Sequence, residues 1–529
     1  MNSADLLDLP GLPDCPDAAG ISPQAPPGEQ LWPMKAFGTA RRELLQQTVA
    51  GPVSARAPWL GLSMLLWLMT GNLSGLTLEA ARLRLGTVGS AVEGGWNLFS
   101  NGQDRNLCLA RLEVSAEGGP EPALATPQQV TDAAARAEER ILAESDAAIA
   151  RYRKADMTVR VLDARGAPVP GAKVLVEQTR HEFLFGCNIY AFDRFNSAEQ
   201  NEAYKRRFSD LFDYATVGFY WRWYEPEPGQ PNYAYTDKVV DWCVQHGIRM
   251  KGHPLLWADQ AGVPVWSQGQ PSPEQQRERV TQIMRRYQGR IGFWEVVNEP
   301  SHLPGLKIDA PYRWARAADP KAALILNDYH VLADGQPPFY QLLDQAIRDG
   351  VPFDGIGIQA HEPRTMRFPL ERVKRVLDRY AALGKALNIT EFTPTSAGQP
   401  ITGSHVSGVW DEAAQADYAA KFYRVCFAHP AMVAITWWDL CDAHSWLKGG
   451  GLLRQDLSPK PAYQALHKLI REQWHTRLEG ATDQAGQFSF NGFCGQYEVR
   501  ASQGDRTATG SFDLSKAKSR QAVLQLPGP

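Results

Sequence analysis

At about 100–200 residues per domain, the 529-residue chain has room for two to four domains. Its 44% hydrophobic and 21% charged residues are ordinary globular usage, which excludes a mainly disordered chain. A formal net charge of −3, from 55 basic and 58 acidic residues, gives no general electrostatic drive toward nucleic acid or anionic membrane.

The longest apolar run, Trp59 to Met69, is too short to span a bilayer as a helix. The 7 cysteines are scattered without CxxC or zinc spacing, and an odd number specifies no disulfide framework. The opening MNSADLLDLPGLPDC has no basic n-region or apolar h-region. The expectation is a cytoplasmic chain, or an extracellular or periplasmic one whose leader was removed.

In chain order, residues 1–30 are rich in Pro, Gly and Asp and read as an irregular arm. Residues 31–125 alternate in short runs, such as Leu83/Leu85 and Leu112/Val114, and read as a β-sandwich with Trp59–Met69 as buried strand. A linker helix is expected over 126–154. Thr126, Pro127 and Gln129 fit N-cap, N1 and N3, and Val130, Ala134, Ala137, Ile141, Ala148 and Tyr152 fall on one face.

Over 183–475 short apolar runs alternate with amphipathic segments. The runs are FLFGCNIY (183–190), YATVGFY (214–220), IRMKGHPLLW (248–257), GFWEVVNE (292–299), ALILND (323–328), FDGIGIQ (353–359), LNITE (387–391) and MVAITWWD (432–439). Strands alternating with helices imply parallel pairing with helical crossovers. Eight such units suit a (β/α)8 TIM barrel, with a doubly wound open sheet as the alternative. No GxGxxG or GxxxxGK[ST] follows an early strand, so the phosphate-binding form of the open sheet lacks its signature.

Barrel chemistry sits at the C-terminal strand ends. There the sequence places His253, Asn298, Glu299, Asp328, Gln359, His361, Glu391 and Asp439. Glu299 and Glu391 close strands four and seven after nearly apolar runs, and those strands face each other across the barrel. Opposed carboxylates are what glycosidic cleavage requires. Taken singly, each could instead cap a helix or meet an arginine. The Asp442/His444 pair has no second ligand pair at fixed spacing, so no metal site is expected.

WEVVNEP (294–300), GHPLLW (252–257), NDY (327–329), IQAH (358–361), ITE (389–391) and WDLCDAHSW (438–446) together resemble the ordered motifs of glycoside hydrolase family 10, the xylanase family. The resemblance implies a retaining mechanism with Glu299 as acid/base and Glu391 as nucleophile, and no cofactor. It also implies that His361 orients the nucleophile and Asn298 binds the 2-hydroxyl of the −1 sugar. His253, Trp257 and Gln359 would line that subsite, Trp438 and Trp446 would form aromatic walls, and Tyr329 would face the leaving group.

The sequence departs from that pattern in TVGFYWRWYEP (216–226). Tyr220 stands where the family carries Lys, and Thr216-Val217 where it carries an acidic residue and Asn; Trp221 matches. Ala258 replaces a common His and Asp439 a usual Gly. An aromatic −2 floor of Tyr220, Trp221 and Trp223 is expected, which suits a related β-glycan, a decorated chain or a glycoside with an apolar partner. The alternatives are an ordinary endo-1,4-β-xylanase, a non-catalytic glycan-binding protein and a metal-dependent barrel hydrolase.

Residues 155–182 and 476–529 carry turn signals, DARG, PVPG, DQAG and NGFCG, between alternating strands. Each is too small to bury a core alone. They resemble two halves of an Ig-like β-module with the barrel inserted between them. WNLFSNG (96–102) gives 31–125 a short likeness to carbohydrate-binding modules.

Overall fold

The computed structural model describes residues 81–86, 111–116 and 127–528, with 304, 334–336, 363–365 and 516–520 excepted. Two short strands come first, β1 (Ala81–Gly86) and β2 (Arg111–Ala116). They pair antiparallel with Leu83 opposite Val114 and Leu85 opposite Leu112. The remainder of the expected 31–125 sandwich, including Trp59–Met69 and WNLFSNG, lies outside the described residues, as do the 1–30 arm and Thr126.

Helix α1 (Pro127–Arg153) opens on a proline, whose missing N–H costs nothing at a first helical position. Ile141 and Ile149 are buried against the barrel, whereas Val130, expected on the same face, is exposed. At the helix end Arg153 donates to the carbonyls of Phe427, His429 and Met432.

Strands β3 (Lys154–Leu162) and β4 (Lys173–His181) follow, and then the barrel units. These are β5 (Leu184–Asn188), α2 (Ala198–Leu211), β6 (Tyr214–Gly218), α3 (Trp221–Tyr224), α4 (Tyr233–Gln245), β7 (Arg249–His253), β8 (Leu256–Trp257) and α5 (Pro273–Arg286). They continue with β9 (Phe293–Asn298), α6 (Asp309–Ala318), β10 (Ala323–Asp328), α7 (Pro337–Arg348), β11 (Gly355–Ala360), α8 (Leu370–Ala381), β12 (Ala386–Phe392), α9 (Glu412–Ala428), β13 (Met432–Trp437) and α10 (Pro461–His467).

Strands β5, β6, β7, β9, β10, β11, β12 and β13 pair in parallel, and the β13–β5 and β9–β10 pairings close the ring. The open sheet is thereby excluded: this is a (β/α)8 barrel. All eight strands fall on the eight apolar runs. Strands such as β11 are buried along their whole length, because helices cover one face and the packed interior the other. Helix α5 begins where Ser272 and Gln275 form a reciprocal capping box around Pro273. Gly252 in GHPLLW has a steric reason: a Cβ there would come within 2.1 Å of the buried Trp294 ring.

The segments flanking the barrel pair with each other. After α10 come β14 (Arg477–Ala481), β15 (Gln487–Phe493), β16 (Gly495–Gln503), β17 (Arg506–Leu514) and β18 (Gln521–Gln525). One sheet runs β14-β4-β16-β17 and the other β15-β3-β18. Alternating burial along β16 and β17 marks sheets with one covered face. Val159, Val161, Val174, Val176, Tyr497 and Val499 are among the residues that fill the space between them. The DARG and DQAG turns use the same chemistry. Asp163 Oδ1 accepts from the N–H groups of Arg165 and Ala167, Asp483 Oδ1 from those of Ala485 and Gln487, and Gly166 and Gly486 take positive φ.

Candidate active site

Strand register assembles the site. Asn327 on β10 stands beside Asn298 on β9, and Gln359 on β11 beside Glu391 on β12, each just after a register shift in the ladder. β9 and β12 are separated around the ring by β10 and β11, so Glu299 and Glu391 approach from positions one short of diametrically opposite.

Glu299 lies one residue past β9 with φ 55°, a left-handed conformation uncommon outside glycine. Its N–H donates to Asn327 O at 3.0 Å, and its carbonyl accepts from the N–H groups of His302 and Leu303, which hold the turn. The carboxylate accepts from Trp257 Nε1 at 3.0 Å and Gln359 Nε2 at 2.8 Å. Burial pushes this carboxyl up to about 8, with help from the charges of Glu391 and Asp328 and against the two donors.

Glu391, 4% exposed, meets different partners. Its Oε2 lies 2.9 Å from His361 Nε2 and its Oε1 accepts from Asn327 Nδ2 at 3.2 Å. His361 is held on its other side by Thr393 Oγ1 at 2.9 Å. Burial pushes Glu391 up to about 7, and Glu295 adds to this, while His253, Lys251 and the Asn327 bond oppose it. Asn327 ties the two halves together, since its Nδ2 also reaches Asn298 Oδ1 at 2.9 Å and its Oδ1 accepts from Thr390 Oγ1 at 2.6 Å.

Below these carboxylates sits a group that sequence reasoning missed. Glu295 is fully buried on β9, with one oxygen bonded by Lys251 Nζ and the other by His253 Nδ1. Burial alone would raise its pKa, but Lys251 and His253 overcome that and hold it below the ordinary carboxylate value. One ligand atom from each of His253, Glu295 and Glu391 lies within 4.8 Å of the others, an arrangement that could hold a cation. The Lys251 ammonium supplies a positive charge at this cluster. Lone Lys and Glu residues inside buried strands were the signal available, because neither charge can be buried unpaired.

Aromatic rings wall the site. Trp438, 6% exposed, meets Tyr190, His253 and His361 edge-on at 5.6, 5.4 and 6.0 Å. Trp446, 41% exposed, meets His361 edge-on at 4.8 Å. Asp439 secures this loop by accepting from Asn188 Nδ2, Ser445 Oγ and the Trp446 N–H. Tyr220 stands among Tyr190, Trp223, His253 and Trp257, at 5.8, 6.1, 5.6 and 6.0 Å. Tyr329 stacks on His302 at 3.6 Å, and His302 in turn bonds the buried Asp328 at 2.5 Å.

Trp221 corrects the expected −2 floor. It is 2% exposed, donates from Nε1 to Glu225 Oε2, lies under the Arg279 guanidinium and meets Trp266 edge-on. Its ring is committed to holding the loop, and of the expected floor Tyr220 touches site residues and Trp223 is exposed. Asp442 and His444 do not converge either: Asp442 pairs with Lys460, and His444 packs edge-on against Phe195.

A closed (β/α)8 barrel with two buried carboxylates in different environments at its C-terminal end is the arrangement of a barrel glycosidase. Residues 175–469 match the family model described as glycosyl hydrolase family 10. The chain belongs to that family. It is 29% identical to endo-1,4-beta-xylanase B of Thermotoga neapolitana over 325 residues, covering 56% of this chain and 89% of that protein. It is 27% identical to endo-1,4-beta-xylanase 2 of Arabidopsis thaliana over 391 residues, 70% of this chain. The chain spans about a third (34%) of the length of that plant relative. Xylanase 10B from Thermotoga petrophila RKU-1, solved with xylobiose, is 26% identical with a TM-score of 0.46, covering 55% of this chain and 95% of that one. Among the described residues, no helix is long and apolar enough to cross a membrane.

Proposed function

We propose that the chain is a retaining, endo-1,4-β-xylanase-like glycoside hydrolase acting on a β-linked glycan, with Glu299 as acid/base and Glu391 as nucleophile. The observation that carries this reading is the unequal setting of the two carboxyls. Burial pushes Glu299 up to about 8 against two neutral donors, Trp257 and Gln359, a setting that favours the protonated acid. Glu391 has Asn327 and His361 on its oxygens and Lys251 near by. In the first step Glu299 protonates the leaving oxygen as Glu391 attacks the anomeric carbon. In the second, Glu299 takes a proton from water, which displaces Glu391 from the sugar.

Asn298, fixed through Oδ1, offers Nδ2 to the 2-hydroxyl of the −1 sugar, where a bond that tightens in the transition state lowers the barrier. His361 orients Glu391, Gln359 and Trp257 orient Glu299, and His253 with Trp438 closes the −1 subsite. Trp446 covers it, and Tyr329 with His302 takes the leaving-group side. A mechanism-based 2-fluoro-glycoside should label Glu391 and no other residue, as read by peptide mass spectrometry; a label elsewhere would remove the assignment.

A second reading, a substrate other than unbranched xylan, is favoured by Tyr220 and by Thr216-Val217, which stand where the family pattern has a hydrogen-bonding Lys and an acidic residue with Asn. Two lost hydrogen bonds of roughly 0.5–3 kcal/mol each would lower kcat/KM on xylo-oligosaccharides by one to several orders of magnitude. An aryl β-glycoside, which depends mostly on the −1 subsite, would then be the better substrate. Xylohexaose cleaved at about 10⁶ M⁻¹s⁻¹ or more would return the reading to an ordinary xylanase. We read the paired flanking sheets as one Ig-like accessory module, and 31–125 as a carbohydrate-binding-like domain.

A further inference from the structure

Four aromatic rings close on one another at the mouth of the barrel. Trp438 meets Tyr190 at 5.6 Å, Tyr190 meets Tyr220 at 5.8 Å, Tyr220 meets His253 at 5.6 Å, and His253 meets Trp438 at 5.4 Å. The interplanar angles are 83°, 79°, 77° and 82°, so edge-to-face contacts run round the cycle without a break. The four residues end or follow β13, β5, β6 and β7, which are successive neighbours in the ring of strands.

The cycle belongs to the catalytic end. His253 bonds Glu295, and Trp438 also meets His361, the partner of Glu391. Burial raises the pKa of the Tyr190 and Tyr220 phenols; the charge of Glu391 adds to the rise in both, and that of Glu299 in Tyr220. Tyr190 is fixed through its backbone. Its N–H donates to Asn188 Oδ1 at 3.3 Å, and its carbonyl accepts from Tyr235 Oη at 3.2 Å. Its ring lies against the end of β6, where residue 218 is glycine: a Cβ there would come within 3.1 Å of Tyr190 Cε1. Tyr190 follows β5 and Tyr329 follows β10, and those strands are diametrically opposite in the ring of eight. With Tyr329 on the leaving-group side, Tyr190 stands on the glycone side.

We propose that Tyr190 and Tyr220 close the glycone end of the site, so that it admits one sugar and releases the terminal residue of a short β-glycoside. This rests on the glycosidase reading above: it keeps the retaining chemistry and changes the mode to removal of end sugars. A pyranose held between two rings needs their planes about 7–8 Å apart, twice the carbon contact distance. Every side of the cycle is shorter, so a sugar chain cannot thread between the rings. Trp438 and His253 are buried, whereas Tyr190 and Tyr220 are only partly buried. The two tyrosines are therefore the outer rim that the far end of the bound sugar meets. Tyr220 in place of Lys then has a physical meaning: hydrogen bonds to a second sugar give way to a ring that, with Tyr190, fills its place.

The test measures kcat/KM on an aryl β-xyloside against the aryl β-xylobioside, and on an aryl β-glucoside against the aryl β-cellobioside, with the full chain, Tyr190→Ala and Tyr190→Phe. The full chain should favour the one-sugar glycone by about 10- to 100-fold, the range of an overpacked contact. Tyr190→Ala should bring that ratio to about one. Tyr190→Phe keeps the ring and should keep the preference, because shape and not the hydroxyl excludes the second sugar. On xylohexaose labelled at its reducing end, the earliest labelled product should be the pentamer. Two-sugar glycosides cleaved equally well or better, early labelled products of two to four sugars, or a preference that survives Tyr190→Ala overturns the closed end and leaves the glycosidase reading standing. Should Tyr190→Ala not fold, the product pattern of the full chain decides alone. Hydrolysis of no glycoside overturns the glycosidase reading. Calorimetry with the same four glycosides then reads the closed end separately: tighter binding of the one-sugar glycosides keeps it, and equal or tighter binding of the two-sugar ones overturns it. Neither binding nor hydrolysis overturns both.

Discussion

Gln359 donates from Nε2 to Glu299 Oε1 at 2.8 Å while standing in register beside Glu391. One amide on β11 therefore fixes the proposed acid/base, Glu299, from a position next to the proposed nucleophile, Glu391. A donor favours the ionised carboxylate, so Gln359 holds the Glu299 pKa lower than burial alone would. With Glu299 at about 8 and Glu391 at about 7, kcat/KM should follow a bell. Its acid limb is protonation of Glu391 and its alkaline limb is loss of the Glu299 proton. Gln359→Ala should move the alkaline limb to higher pH and leave the acid limb nearly in place. A shift of the alkaline limb to lower pH would contradict this.

The same raised pKa predicts a cost to stability. A carboxyl near 4.5 when unfolded and near 8 when folded binds more protons in the folded state, so its contribution is full below about pH 4.5 and is lost as pH rises toward 8. Glu299→Gln removes that loss. Its gain should be absent at pH 4 and grow to at most about 5 kcal/mol by pH 8, read from urea unfolding at several pH values. A gain independent of pH would contradict the linkage.

Breaking the buried Lys251–Glu295 pair should be worse than removing it. Lys251→Met leaves the buried Glu295 with His253 but without its ammonium partner, and breaking one such buried pair costs up to roughly 3–5 kcal/mol. The double change Lys251→Met with Glu295→Leu should recover part of that loss. Equal destabilisation by the single and double variants in denaturant titrations would show that the pairing is not what holds the two groups there.

Much of this was legible in the sequence, for identifiable reasons. Eight short apolar runs bounded by turns could be read as barrel strands because parallel strands buried on both faces admit few polar residues. Glu299 and Glu391 stood out as charges at the ends of such runs. Lys251 and Glu295 signalled only that each buried charge needs a partner; that they meet each other depends on the spatial approach of β7 and β9 and not on spacing within either. Trp221 was misplaced for a related reason: in a four-residue helix, spacing does not say which ring faces the cleft.

Asp439, where the family pattern has Gly, should act through Trp446. It accepts the Trp446 N–H at 2.9 Å and Ser445 Oγ at 3.3 Å from a buried site. Asp439→Ala should free that loop, raising KM for long oligosaccharides several-fold with a much smaller change in kcat, and red-shifting the Trp fluorescence. Unchanged KM would show that the loop's other bonds, among them Lys460 to Asp442 and Ser445 Oγ to Leu447 O, hold it without Asp439.

The central claim is double displacement by Glu299 and Glu391. Proton NMR of the first product released from a β-1,4-xylo-oligosaccharide tests it most directly, before mutarotation mixes the anomers. The account predicts the β-anomer first, from two successive inversions at the same carbon. The α-anomer as first product would mean single displacement by water and would contradict the assignment of Glu391 as nucleophile.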